Sequence, residues 1–103
     1  MSVYLHVTLE VSGKGLPRFI EAMETMAAPF LEGQGWRLAG AFVQRSGRLG
    51  TVIDLWELDD FQHYDRALKA LAAHPGFPAL KAVLDDTVIS ETIVFADKAP
   101  YMR

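Results

Sequence analysis

Two periodicities of apolar residues divide the chain into segments. In residues 3–11 every second residue is apolar, which is typical of a strand with one buried face. The other face of that strand carries Tyr4, His6, Thr8 and Glu10. In residues 16–31 apolar side chains recur every three or four positions, so this segment is predicted to be a helix with one buried stripe. Pro29 predicts a kink or an early end to that helix.

The rest of the chain repeats the order strand, helix, strand. The predicted elements are a strand at 36–45, a glycine-containing turn at 46–50, a strand at 51–58, a helix at 60–73, a short helix at 77–84 and a strand at 88–96. Asp59 is predicted to cap the second long helix, with Gln62 reaching back as in a capping box. The sequence His74-Pro75-Gly76 is expected to end that helix, because the residue before a proline avoids helical angles.

This order predicts an α+β fold of the ferredoxin-like βαββαβ type. One domain over residues 1–103 would hold a four-stranded antiparallel sheet with both long helices on one face. Residues 51–58 are the organising strand, and their alternation places Val52, Asp54, Trp56 and Leu58 on a common face. We expect that face to lie opposite the helices, together with Tyr4, His6 and Thr8 of the first strand, since the first and third strands are central neighbours in this topology.

Such a face is too apolar to be left in water. Half of the 103 residues are hydrophobic, which is generous for so small a domain. We therefore expect a homodimer in which two sheets pack face to face and close a barrel.

Composition excludes several classes of protein. The net charge is -3 and the Lys and Arg residues are scattered, so nucleic-acid binding is not expected. The absence of cysteine removes disulfides, thiolate nucleophiles and sulfur-ligated zinc. No apolar run is long enough to span a bilayer and no signal peptide is evident, which predicts a cytoplasmic protein without membrane contact.

Residues 51–77, TVIDLWELDDFQHYDRALKALAAHPGF, resemble the NIPSNAP family of dimeric α/β-barrel proteins. The resemblance rests on the pair Leu55-Trp56, the acidic cap Asp59 and the stop at residues 74–77. Many relatives have a histidine where this chain has Asp54, and an aspartate where it has His74. The wider superfamily includes cofactor-free oxygenases, haem-degrading enzymes and polyketide cyclases, so the resemblance implies a small, largely apolar ligand and leaves the reaction open.

His6 and Asp54 are the candidate catalytic pair. If their strands are in register, an imidazole and a carboxylate would lie close enough for proton transfer near neutral pH. The alternative is a structural pair inside a dimer interface. The predicted substrate-binding residues are Tyr4, Thr8, Val52 and Trp56, although the two aromatic side chains equally suit simple packing.

No cofactor or metal is expected. His63 and His74 lack a third ligand at suitable spacing and are predicted to be solvated or capping residues. Two functions stay open: a cofactor-independent monooxygenase or cyclase that works by proton abstraction, and a non-catalytic interaction module with a packed barrel. The volume of the cavity discriminates between them, since a ligand site should exceed about 300 Å³.

Overall fold

A computed structural model describes residues 2–102, and its sheet is fully antiparallel. The strands are β1 (Val3–Val11), β2 (Arg37–Val43), β3 (Thr51–Leu58) and β4 (Val88–Ala96). Their order in the sheet is β2-β3-β1-β4, so β1 and β3 are the central strands. The helices are α1 (Leu16–Ala22), α2 (Ala28–Gly33), α3 (Phe61–Ala72) and α4 (Phe77–Thr87). The α+β, ferredoxin-like fold is confirmed, and the short helix predicted to end at residue 84 continues to Thr87.

A π-helical segment, Met23–Ala27, joins α1 to α2. The N–H group of Ala28 donates to the carbonyl oxygen of Met23, five residues back. Pro29 has no N–H group and its ring disfavours regular α geometry in the preceding turn. The predicted interruption near Pro29 is therefore confirmed, but the helical path continues to Gly33. A π-helical turn of this kind shifts the side chains that precede it relative to those that follow.

The register of the central strands decides which residues face the helices. Leu5 pairs with Trp56, Val7 with Asp54 and Leu9 with Val52. Paired residues of antiparallel neighbours share a face. All five apolar residues of β1 are buried under the helices, as predicted.

The predicted position of the β3 side chains is consequently wrong. Val52, Asp54, Trp56 and Leu58 face the helices and are each at most 5% exposed. Tyr4, His6 and Thr8 lie on the uncovered sheet face, as predicted, but their neighbours there are Ile53 and Leu55. The physical reason is the greater apolar area of the Val52, Trp56 and Leu58 set, which outweighs the cost of enclosing one carboxylate with it.

The start of α3 also differs from the prediction. Asp60, not Asp59, is the N-cap, and its Oδ1 accepts a hydrogen bond of 2.8 Å from the backbone N–H of His63. The carboxylate of Asp59 instead lies 3.2 Å from Nη1 of Arg37. The helix ends at Ala72, before His74-Pro75-Gly76, as expected.

The turn between β2 and β3 uses glycine as predicted. Gly47 and Gly50 have φ angles of 69° and 89°. A Cβ atom on Gly50 would lie 2.5 Å from the carbonyl oxygen of Val11, so only glycine allows the turn to approach β1 this closely.

Within residues 2–102, no helix is long and apolar enough to cross a membrane. The cytoplasmic location stays a prediction from the sequence.

Candidate functional site

The main cavity lies between the sheet and the helices and has a volume of about 680 Å³. Apolar side chains from both layers form most of its wall. From the sheet these include Leu5, Val7, Leu9 and Trp56, and from the helices Phe19, Met23, Leu68 and Leu80. This volume is well above the roughly 300 Å³ expected of a small-molecule site. The cavity is on the helix side of the sheet, however, and not on the uncovered face where the sequence placed it.

Asp54 is the buried ionisable group of this cavity. It projects from the middle of β3 and is 5% exposed. Burial raises the pKa of its carboxyl group from 3.8 to about 6, and within residues 2–102 no neighbouring charge or hydrogen bond offsets the loss of water. Every fully shielded side-chain nitrogen or oxygen in residues 2–102 has a hydrogen-bond partner. The carboxylate of Asp54 therefore keeps contact with the solvent-accessible space of the cavity.

A second cavity of about 380 Å³ lies between the β2 edge of the sheet and the α1–α2 helical segment. It shares four lining residues with the main cavity, namely Phe19, Met23, Asp54 and Trp56. Met23 is the first residue of the π-helical segment. The two cavities therefore meet at these four side chains, of which Asp54 is the only ionisable one.

Aromatic rings form one wall of the main cavity. The ring of Trp36 contacts that of Trp56 edge to face at 5.5 Å and stacks on that of Tyr64 at 5.9 Å. Phe95 of β4, which is not among the residues of this wall, contacts Tyr64 edge to face at 5.3 Å. This continuous aromatic surface suits a planar, apolar ligand.

His63 contacts Trp36 and holds this part of the aromatic wall in place, a role that the sequence did not predict. The residue is buried, against the prediction of a solvated or capping histidine. Its Nδ1 accepts a hydrogen bond of 3.0 Å from the N–H of Asp59, so its Nε2 carries the hydrogen and donates to the carbonyl oxygen of Gln34 at 2.7 Å. Nε1 of Trp36 in turn donates to the carbonyl oxygen of His63 at 3.3 Å. The spacing of residues could have predicted this burial, because His63, Ala67 and Leu71 are four residues apart and form the buried stripe of α3.

Acidic groups line the main cavity near its exposed rim. Glu91 projects from β4 on the helix side, where it is paired with Leu9, and Asp85 lies on α4. Burial and the charges of Glu91 and Asp65 raise the pKa of Tyr64. The Tyr64 hydroxyl group is thus held in its neutral, hydrogen-bond-donating form.

The structure separates the predicted catalytic pair. His6 is paired with Leu55 and exposed on the uncovered face, whereas Asp54 points into the cavity on the opposite face. Of the predicted binding residues, Trp56 lines both cavities and Val52 lines the second. Tyr4 and Thr8 lie on the uncovered face with His6. A proton transfer between His6 and Asp54 is therefore ruled out by geometry.

Among residues 2–102 no group of three or more histidine, aspartate or glutamate side chains is placed to hold a metal ion.

The fold and its interior cavity define a class of small α+β domains, and the family follows from comparison. The family model described as NIPSNAP matches residues 4–94, so the chain belongs to the NIPSNAP family. No curated protein matches the chain in sequence.

Solved structures share the fold over nearly the whole chain. An uncharacterised NIPSNAP domain protein from Burkholderia xenovorans is 24% identical with a TM-score of 0.80, and the match covers 100% of this chain and 99% of that one. A NIPSNAP family protein from Agrobacterium tumefaciens is 15% identical with a TM-score of 0.86, covering 98% and 96%. SnoaB, a cofactor-independent oxygenase from Streptomyces nogalater, is 18% identical with a TM-score of 0.68, covering 98% of each chain.

Proposed function

We propose that the protein binds a small, largely apolar, aromatic or polyketide-like molecule in the main cavity and removes a proton from it with Asp54. The observation that carries the proposal is a buried carboxylate without a partner in an apolar cavity of about 680 Å³. A pKa of about 6 leaves this group ionised at neutral pH but basic enough to accept a proton, which is what a general base requires.

The proposed chemistry needs no cofactor. Asp54 takes a proton from an acidic C–H or O–H group, and the bond's electron pair stays on the ligand. In a cyclase the resulting anion attacks a carbonyl carbon within the same molecule. In a monooxygenase the anion gives one electron to dioxygen, the second substrate, and the two radicals combine through a new C–O bond to a peroxide anion. This anion takes back the proton from Asp54, and cleavage of its O–O bond leaves a carbonyl group on the ligand and releases water. SnoaB is described as a cofactor-independent oxygenase, and its likeness supports the compatibility of this fold with such chemistry.

Isotope exchange tests the proton-abstraction step without knowledge of the final reaction. 2-Tetralone is a two-ring ketone with acidic C–H groups beside its carbonyl group. We expect the protein in D2O to accelerate deuterium incorporation at these positions, as followed by NMR. Asp54→Asn should lower that rate about 10²–10⁴-fold because it removes the base but keeps the shape. Exchange that is equal in both proteins would show that Asp54 is not the base.

The non-catalytic alternative makes a different prediction in the same experiment. A binding module would bind 2-tetralone, as measured by calorimetry, and leave its C–H groups unexchanged. A packed interior, the other form of this alternative, is disfavoured by the volume of the main cavity.

The uncovered sheet face supports a homodimer as the functional unit. Phe42 and Val94 are 57% and 50% exposed, and Ile53 and Leu55 beside them are only half-buried. The molecule measures 39 × 36 × 19 Å, which is one sheet and one helix layer. We propose that a second copy packs on this face, with Tyr4, His6 and Thr8 in the interface. A face of these dimensions exceeds the roughly 800 Å² per partner that a stable interface needs.

A further inference from the structure

A ligand could reach Asp54 through the second cavity, which the proposed reaction does not use. The main cavity reaches the carboxylate from the side of α3 and α4, whereas the second reaches it from the side of β2. Ala41 of β2 is the cross-strand partner of Asp54 and lines only the second cavity. A ligand in the second cavity would therefore reach Asp54 beside β2 and not beside α3 and α4.

All ionisable residues among 2–102 that line the second cavity are acidic. Glu24 and Glu32 lie at its exposed rim, Asp54 lies at its inner end, and no Lys, Arg or His of the described chain contributes to the wall. Among residues 2–102 none of these three carboxylates takes part in an ion pair. Like charges around a cleft with apolar walls concentrate a negative potential, which attracts cations and repels anions.

Asp54 distinguishes this cavity from an ordinary acidic surface. It is 5% exposed, and none of the other residues in 2–102 offsets its burial with a hydrogen bond or a charge. A buried carboxylate without a partner gains most from a ligand that brings a positive charge and N–H donors. The neighbouring indole ring of Trp56 is also the aromatic ring that binds cations best.

We propose that the second cavity binds a small apolar primary amine, with its ammonium group against Asp54 and its hydrocarbon part against Phe19, Met23 and Trp56. The volume of about 380 Å³ suits a molecule of one or two rings. A bound ammonium group would occupy the lone pairs of Asp54 that accept a proton. The amine would then inhibit the proposed proton abstraction, so this inference shares Asp54 with the proposed function but does not require that the protein be an enzyme.

Three ligands with the same ring system test the charge preference. They are 1-naphthylmethylamine, 1-naphthalenemethanol and 1-naphthoate, which are a cation, a neutral molecule and an anion at pH 7.5. In calorimetry at low salt we expect the amine to bind at least tenfold more tightly than the alcohol, and the anion to bind most weakly. Asp54→Asn should bring the amine and the alcohol to similar affinities. An amine that binds no more tightly than the alcohol to the unmodified protein overturns the proposal.

Two filling variants locate the amine. Ala41→Leu adds bulk to the second cavity alone, and Leu84→Phe adds bulk to the main cavity alone. We expect Ala41→Leu to weaken amine binding at least tenfold and to keep the exchange of 2-tetralone. Leu84→Phe should keep amine binding and slow the exchange of 2-tetralone. Amine binding that is weakened by Leu84→Phe but not by Ala41→Leu contradicts the second site.

The failures of the two proposals are distinguishable. If 2-tetralone neither binds nor exchanges while the amine preference and its loss in Ala41→Leu persist, the proposed function fails and the amine site stands. If 2-tetralone exchanges and the three naphthalene ligands bind alike, the amine site fails and the proposed function stands.

Discussion

At position 54 a neutral side chain would stabilise the fold more than the carboxylate of Asp54 does. Its side chain is buried among core residues of two layers, and within residues 2–102 its carboxylate gains no hydrogen bond or ion pair in return. Its cross-strand neighbours are Val7 on one side and Ala41 on the other, which supply only apolar contact. Groups that reduce stability in this way are common at functional sites, since activity often depends on the feature that costs stability.

The first prediction follows from the sign of this pKa shift. Burial raises the pKa of Asp54 from 3.8 to about 6, so the folded state holds the proton more tightly than the unfolded state. The contribution of Asp54 to the free energy of unfolding is therefore most favourable below pH 4 and falls by up to about 3 kcal/mol as the pH rises through 6. Asp54→Asn should be more stable than the original protein at pH 7.5 and should show no such gain at pH 4.

Urea unfolding at the two pH values measures this difference. Asp65→Asn is the matched control for the loss of one carboxylate, since Asp65 is exposed on α3, and the gain in stability at pH 7.5 should be confined to Asp54→Asn. An Asp54→Asn variant with the same pH dependence as the original protein would mean that Asp54 titrates normally.

The second prediction concerns the rate of deuterium exchange. Because the base must be ionised, kcat/KM for the exchange of 2-tetralone should rise with pH and level off above about pH 6. NMR measurements from pH 4.5 to 8 give the profile. A rate that keeps rising through pH 8 would point to a base other than Asp54.

The sequence was sufficient to select Asp54 and insufficient to place it. A carboxylate two residues from a tryptophan in a strand of apolar residues is an unusual pattern, and its functional role stays a prediction. Alternation divides β3 into two faces but does not say which one meets the helices, because Ile53 and Leu55 are also apolar. The register with β1 decides this, and register depends on contacts between segments far apart in the chain.

At the scale of elements, the link between α3 and the start of β2 positions the aromatic wall. His63 receives one hydrogen bond from Asp59 and gives one to Gln34, and Trp36 donates back to His63. Gly35 has a φ angle of 93° and leaves room for the imidazole ring, since a Cβ atom there would lie 3.3 Å from it. The end of α3 before His74-Pro75-Gly76 was predictable from proline, whereas this link joins residues 29 positions apart and was not.

The third prediction tests that link. His63→Leu keeps a similar volume but leaves the Asp59 N–H and the Gln34 carbonyl group without their partner, so we expect a loss of about 2–4 kcal/mol in the free energy of unfolding. His74→Leu is the control, because His74 is exposed and accepts one local bond from Gly76. It should cost less than about 1 kcal/mol. If urea unfolding gives the same loss of unfolding free energy for both variants, the hydrogen bonds of His63 contribute no more to stability than the local bond of His74.

At the scale of the whole molecule, the order of elements was the most predictable property. Proline and glycine mark the ends of the segments, and the order βαββαβ leaves few antiparallel arrangements, so the topology was confirmed. The position of the cavity was not predictable in the same way. Whether a two-layer domain is filled by its own side chains depends on how the helices sit over the sheet, and the π-helical segment before Pro29 has no simple pattern in the sequence.

The last prediction concerns the uncovered sheet face. Light scattering should give twice the chain mass of 11.4 kDa at micromolar concentration, because the exposed Phe42 and Val94 need a partner to leave water. Val94 is the cross-strand neighbour of His6 on this face, so Val94→Glu places a charge inside the proposed interface. We expect Val94→Glu to be a folded monomer by light scattering and circular dichroism. Lys69→Glu changes the charge on the exposed side of α3 and should stay dimeric. An original protein that is monomeric, or a Val94→Glu variant that stays dimeric, would exclude this face as the interface.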